Sequence, residues 1–309
     1  MFGFGISGSF DPDTEIGDLS GKVILVTGGN AGLGKECVLR LAKHNPKEIF
    51  ITSRSTSKAQ SAIEEIKTTV SNANISIIEL DLTDFASIEK AVKYFQSKSD
   101  RLDLLLNNAG VMAMPYSQTK QGYEIQFGTN HMGHALFTKL LIPTLLKTAE
   151  QSGSDVRIVN LSSYGHNLAP TGGIIFDQQG AENIDTNARY GSSKLANILH
   201  ARILAEKYPQ ITTTAVHPGV IMTDLYASIK ESTIKSTLLG LAGPLFFADL
   251  QTGALTSLWA LTAPKETVGK EYYFEPIGKT GQASKYARDH DLAVKLWDYT
   301  EEELKKHGY

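Results

Sequence analysis

The stretch Lys22-Val23-Ile24-Leu25-Val26-Thr27-Gly28-Gly29-Asn30-Ala31-Gly32-Leu33-Gly34 sets the frame for the rest of the chain. Its first half is a short, β-rich apolar run, which predicts a buried strand. A glycine turn follows at once, and then a helical pattern through Leu39, Leu41 and Ala42. Strand, glycine turn and helix in that order suit a dinucleotide. Glycines let backbone approach a pyrophosphate, and a helix N-terminus offers unpaired N–H groups and the positive end of its dipole. Gly28, Gly32 and Gly34 fall as G-x-x-x-G-x-G, not the commoner G-x-G-x-x-G, so the spacing supports nucleotide binding in general. Asn30 and Leu33, in the same turn, join the three glycines as candidate cofactor-binding residues.

Downstream the alternation continues. Residues 48–52, 75–80 and 102–106 read as strands, separated by helical patterns over 58–70 and 86–95. A long helical stretch spans 123–149, with a kink expected at Pro143. Further strands are predicted over 155–161, 211–217 and 271–274. Asp249 is placed to cap a helix over 252–261. A helical tail runs over 289–306, and within it Thr300-Glu301-Glu302-Glu303 fits a capping box. The expected fold is α/β: a doubly wound, mostly parallel, Rossmann-type sheet with helices on both faces. It forms a single domain over 21–309, after a loose lead-in over 1–20.

Composition narrows the partners. With 309 residues, a net charge of −3 and a pI near 6.3, the chain lacks the basic footprint of a nucleic-acid binder. One cysteine, Cys37, excludes an internal disulfide framework, fits a reducing compartment and reads as a small buried helix residue. Residues 1–20 lack the basic start and apolar core of a signal peptide. No apolar run approaches the ~20 residues of a spanning helix; the nearest, 238–250, contains Gly240, Gly243, Pro244 and Asp249. A cytoplasmic location without a transmembrane segment is expected. No spacing of His, Cys and carboxylates suggests a metal.

Twenty residues past Gly34 stands Arg54, with Lys58 one turn on. NAD-preferring sites place an acid near there for the ribose 2′-hydroxyl. A guanidinium instead binds a 2′-phosphate by charge-assisted hydrogen bonds, which argues for NADP. Asp81-Leu82, at the end of the third strand, is placed for an adenine amino group. Asn107-Asn108-Ala109-Gly110 is a small-residue turn that lets backbone lie against a cofactor. Tyr190 and Lys194, four apart on a predicted helix, share a face. A free tyrosine titrates near pH ~10, and an adjacent ammonium lowers that value toward useful acid/base chemistry. Alone, such a pair is two points on a solvated helix.

Taken together, the glycine turn, Asp81-Leu82, Asn107-Asn108-Ala109-Gly110, Ser163, Tyr190-x-x-x-Lys194 and His217-Pro218-Gly219 resemble the short-chain dehydrogenase/reductase family in order and spacing. Asn130-His131-Met132-Gly133-His134 and Ser162-Ser163-Tyr164-Gly165-His166 resemble its retinol-dehydrogenase-like branch. The resemblance implies roles. Tyr190 is the acid/base; Lys194 binds the nicotinamide ribose and lowers the tyrosine's pKa. Ser163 rather than Ser162 bonds the substrate carbonyl, and Asn130 positions a water in a proton relay. Pro218, Gly219, Val220 and Thr223 hold the carboxamide and a cofactor phosphate. The apolar segment 224–250 is the place of a substrate lid.

The implied activity is NADP(H)-dependent interconversion of a lipophilic carbonyl compound and its alcohol. The alternative is a non-catalytic NADP-sensing protein of the same fold. From Ser163 to Tyr190 is 27 positions, about twice the family's usual spacing. The residues between read as an inserted loop that covers a helix face often used for subunit contact, so monomer or homodimer is expected. His131, His134 and His166 are expected to make structural hydrogen bonds, because Tyr190 already fills the acid/base role.

Overall fold

A computed structural model of the chain describes residues 9–219, 249–281 and 283–309. Its centre is a seven-stranded sheet of order β3-β2-β1-β4-β5-β6-β7, with every pairing parallel. The strands are β1 (Val23–Val26), β2 (Glu48–Ser53), β3 (Ile75–Glu79), β4 (Leu104–Asn107), β5 (Arg157–Leu161), β6 (Thr212–Val216) and β7 (Tyr273–Phe274). The chain enters through a short helical turn, α1 (Pro12–Glu15). The helices that follow are α2 (Gly32–Ala42), α3 (Thr56–Thr69), α4 (Phe85–Lys98), the single turn α5 (Ile125–Phe127), α6 (Gly133–Ala149) and α7 (Thr186–Lys207). Last come α8 (Leu250–Thr262), the short α9 (Lys265–Val268) and α10 (His290–Lys306).

Both faces of the sheet are covered, as unbroken apolar strands require. Along β1 the side chains alternate between two cores. Val23 and Leu25 join Phe95, Leu136, Phe137, Leu195 and Leu296 on one side. Ile24 and Val26 join Val38, Leu41, Ile63 and Leu258 on the other. The order reverses between β1 and β4, so a crevice opens beyond their C-terminal ends, where open α/β sheets bind ligands. No described helix is long and apolar enough to cross a membrane.

Two expectations fail in detail. The stretch 123–149 is not one helix bent at Pro143: α6 runs unbroken through that proline. The irregularity lies earlier, in a π-helical turn over Gly128–Met132. Glycines flank this turn because other chain lies against it. A Cβ on Gly128 would collide with Thr119 Cγ2, and one on Gly133 would sit 2.5 Å from the Leu82 carbonyl oxygen. The capping box at Thr300 is also overturned. Thr300 is buried inside α10, its hydroxyl 2.8 Å from the Leu296 carbonyl, and the cap is Asp289, which accepts from Leu292 N. A buried face of Ala293, Leu296, Thr300 and Leu304 at helical spacing carries the helix through the polar Thr-Glu run.

The inserted residues fold back on their own chain. They include two 3-10 turns, Tyr164–Leu168 and Gly180–Asn183. Ile175 N donates to Ser192 Oγ on α7 (2.9 Å), and Gly172 N to Tyr286 Oη (2.9 Å). The Tyr299 hydroxyl of α10 donates to the Phe176 carbonyl (3.3 Å). With the His200 imidazole stacked on Trp297, α7 is walled by the insertion and by α10.

Candidate active site

The glycine turn leaves β1 at Thr27. Gly28 (φ 65°) and Gly32 (φ 52°) take the left-handed conformation that favours glycine. Gly34, already inside α2, lies so close to the turn that a Cβ there would be 2.5 Å from the Gly28 carbonyl oxygen. Ala31, the N-cap of α2, provides no side-chain acceptor for the first N–H groups. An uncapped helix start behind a tight glycine turn fits a diphosphate. Leu33 is buried here and Asn30 half-buried.

Across the crevice, the turn after β4 is tied to the same place. Asn108 Nδ2 donates to the Thr27 carbonyl (2.8 Å), while Asn108 N and Ala109 N donate to Thr27 Oγ1 at 2.8 and 3.0 Å. Arg54, directly after β2, and Lys58, in the first turn of α3, are both exposed. The Asp81 carboxylate accepts from Thr83 N and Oγ1 (2.9 and 2.7 Å), and the neighbouring Leu82 is buried.

Tyr190 and Lys194 share one face of α7, whose cap is Asp185. Both are nearly buried, at 8% and 4% exposure. The ammonium lies 5.8 Å from the centre of the phenol ring and donates to the Leu161 carbonyl at the end of β5 (3.0 Å). Burial pulls Lys194 down from 10.5 to about 8, which leaves it mostly charged at neutral pH. A Cβ on Gly110 would stand 3.4 Å from that nitrogen and 2.9 Å from Asn130 Oδ1, so only a bare backbone fits beside them.

Asn130 sits in the π-helical turn, fully buried. Its Oδ1 accepts from Val111 N (2.8 Å); its Nδ2 donates to the Val111 carbonyl (3.0 Å) and to Ser193 Oγ (2.9 Å). The side chain thus clamps the β4 turn to α7. The two serines after β5 differ. Ser162 Oγ is buried and donates to the Lys194 carbonyl (2.8 Å). Ser163, half-exposed, caps the turn Tyr164–Leu168 and accepts from Gly165 N (3.0 Å). A Cβ on Gly165 would be 2.7 Å from Tyr190 Cε1 and 3.3 Å from Ser163 Oγ, so ring and hydroxyl flank one glycine. The structure therefore gathers Gly110, Asn130, Ser163, Tyr190 and Lys194 at the ends of β4 and β5. Pro218 and Gly219 follow β6; Gly219 (φ 96°) donates its N–H to His217 Nδ1 (3.3 Å). Val220, Thr223 and nearly all of the segment 224–250 lie outside the described residues.

The histidines of the motifs are buried and bonded. His131 Nε2 meets Thr300 Oγ1 at 2.9 Å. His166 Nε2 accepts from Ser284 N (3.2 Å), so its Nδ1–H donates to the Ser163 carbonyl (2.8 Å). His217 Nδ1 also accepts from Tyr164 N (3.1 Å). Burial pushes His217 down to about 3 and lowers His166 as well. One element had no sequence signal. Arg189, next to Tyr190, forms a buried pair with Glu124 (3.1 Å) and donates to the Met114 carbonyl (3.3 Å). Glu124 in turn accepts from Gln126 N and Phe127 N, and its burial raises its pKa. A contact 65 positions apart leaves no local pattern to read.

Comparison with known proteins bears on the family and the fold. The family model described as short chain dehydrogenase matches residues 22–233. The chain is 40% identical over 301 residues to the short-chain dehydrogenase/reductase drtF of Aspergillus calidoustus, covering 93% of this chain and 95% of that protein. It is 37% identical over 284 residues to retinol dehydrogenase 12 of Mus musculus, covering 91% and 85%. A crystal structure of an uncharacterised protein from Mycobacterium Paratuberculosis superposes with a TM-score of 0.71 at 25% identity, over 95% of this chain and 97% of that one. The chain belongs to the short-chain dehydrogenase family.

Proposed function

We propose that this protein is an NADP-dependent oxidoreductase that interconverts a lipophilic aldehyde or ketone and its alcohol. The observation that carries the reading is the meeting of Tyr190, Lys194 and Ser163 at the C-terminal ends of β4 and β5, with an uncapped glycine turn after β1. When bound, the dinucleotide supplies or accepts the hydride. The turn 28–34 and the backbone of Asn108, Ala109 and Gly110 hold its diphosphate and nicotinamide ends. Arg54 and Lys58, with no acid at the end of β2, favour a ribose 2′-phosphate.

The remaining steps belong to the chain. Tyr190 gives its phenolic proton to the substrate oxygen as that oxygen becomes a hydroxyl, and takes it back in the reverse direction. Lys194, charged and within reach of the ring face, favours the phenolate that results. Ser163 donates a second hydrogen bond to the developing oxyanion. The buried bond of Ser162 to the Lys194 carbonyl supports a structural part for it and leaves this role to Ser163. Two observations support an apolar substrate. Tyr164 (45% exposed) and Leu168 (53%) lie exposed in the turn that Ser163 caps, and one relative is named for retinol, a lipophilic alcohol.

The test is oxidation of NADPH, with NADH in parallel, against a panel of aldehydes, ketones and quinones. Preference for NADPH and for apolar carbonyls is expected, with Arg54→Glu reversing the cofactor preference. An NADH preference in the wild type sinks the Arg54 argument. Retention of the protein's biological output by Tyr190→Phe, with no turnover in any form, would favour a sensor.

A further inference from the structure

Thr27, at the head of the glycine turn, and His134, in the first turn of α6, lie 107 positions apart and meet at 2.9 Å. The direction of every bond in this contact follows from counting. A threonine hydroxyl has two lone pairs and one proton. Both lone pairs of Thr27 Oγ1 are used, by Asn108 N–H (2.8 Å) and Ala109 N–H (3.0 Å). Its proton has two acceptors in range, His134 Nε2 at 2.9 Å and the Leu106 carbonyl at 3.4 Å. The nearer one wins. His134 Nε2 is then an acceptor, so the proton of the neutral ring sits on Nδ1, which donates to the Asn130 carbonyl at 3.1 Å.

We propose that His134 is a positioning residue, a strut in one fixed tautomer that joins the cofactor turn to the Asn130 clamp. The inference rests on the function proposed above. Through Thr27 the imidazole holds the Asn108-Ala109 turn. Through the Asn130 peptide it holds the side chain that binds Val111 and Ser193, next to Lys194. The turn that would carry the cofactor and the row of groups proposed to transfer the proton are therefore joined by one chain of bonds. Histidine suits the place because a flat ring carries an acceptor and a donor at fixed separation. The ring also stays neutral: its burial, and the Lys194 ammonium nearby, push it down to about 3.

The two amide side chains separate the ring's two bonds. His134→Asn keeps a short-arm donor for the Asn130 carbonyl and does not reach Thr27. His134→Gln reaches Thr27 with its carbonyl oxygen and leaves the Asn130 bond unmade. NADPH binding to the substrate-free protein is measured by fluorescence titration, kcat at saturating NADPH on the best carbonyl of the panel, and Tm for each variant. His134→Asn should bind NADPH about tenfold more weakly with kcat within about twofold. His134→Gln should bind within about twofold and lose about tenfold in kcat, each step being the worth of one buried hydrogen bond.

If the two variants behave alike in both readouts, whether or not Tm falls, the strut is wrong and His134 merely fills space. Should they not fold, nitrogen NMR of the wild-type imidazole reads the link directly: a His134 ring protonated on Nδ1 and bare on Nε2 is expected, and a proton on Nε2 overturns the strut. A wild-type protein that binds no dinucleotide overturns the proposed function as well, whereas an active wild type with indistinguishable variants overturns this inference alone.

Discussion

A lysine that titrates near 8 inside a folded protein leaves a mark on stability. Lys194 falls from 10.5 to about 8 because it is buried. Between those two values the unfolded chain holds a proton that the folded chain has released, so the cofactor-free protein gains stability as pH rises across that window. Below about 8 both states are protonated and the contribution is flat. Lys194→Met should remove a slope on the order of 1 kcal/mol per pH unit, read as the difference between urea unfolding curves of the two proteins at pH 7 and 9.5. An unchanged slope would mean that the ammonium is better solvated than its surroundings allow.

Substitution of the neighbouring groups should divide chemistry from architecture. Tyr190→Phe should lose about 10²–10⁴ in turnover while still binding NADPH. Ser163→Ala should lose about 10²–10³ in kcat, together with the modest stability of the turn cap it makes to Gly165 N. Ser162→Ala should instead cost about 1 kcal/mol of stability, because its hydroxyl bonds the Lys194 carbonyl inside the core. Equal kinetic losses from both serines would contradict the assignment.

At the scale of the element, the strand-turn-helix unit was the most legible part of the chain. Only glycine tolerates backbone pressed against backbone, and that requirement prints itself on adjacent residues. Gly34→Ala puts a methyl 2.5 Å from a carbonyl oxygen that cannot rotate away. NADPH binding should be lost and Tm lowered. Gly21→Ala is the control: its surroundings are open and only its φ of 79° is strained, for about 1–2 kcal/mol. Comparable cofactor affinity in the two variants would argue against the turn as the diphosphate seat.

Other elements hid their reasons in distant chain. The π-helical turn Gly128–Met132 has Thr119 against its first glycine and Leu82 against Gly133 just past its end, and no periodicity announces such distant contacts. Thr300 mimics a cap in sequence, yet the apolar spacing on both sides of it belongs to one continuous helix. Tyr190 and Lys194 could be placed on one face from their spacing. The clamp of Asn130 on Val111, the Thr27–His134 contact and the Glu124–Arg189 pair needed the tertiary arrangement.

Over the whole molecule, α7 is the pivot, buried between the sheet, the insertion and α10. The outer helix α10 is therefore part of the active domain and not an appendage. Leu296→Ala, at a fully buried position, should cost about 2–5 kcal/mol in denaturant titration. Removing residues 290–309 should abolish cooperative unfolding by circular dichroism, and a truncated protein that still unfolds sharply would separate α10 from the core. Because its own chain walls α7, the protein should sediment as a monomer at micromolar concentration; a dimer assembled through that helix would contradict the packing.

The bond from Ser284 through His166 to the peptide of Ser163 has a consequence for synthesis. A nascent polypeptide on the ribosome that has not yet reached Ser284 lacks one of the bonds that fasten the loop around Ser163, the bond from Tyr164 N to His217 Nδ1 being another. That loop should therefore reach its final shape only once the stretch between β7 and α10 has joined it.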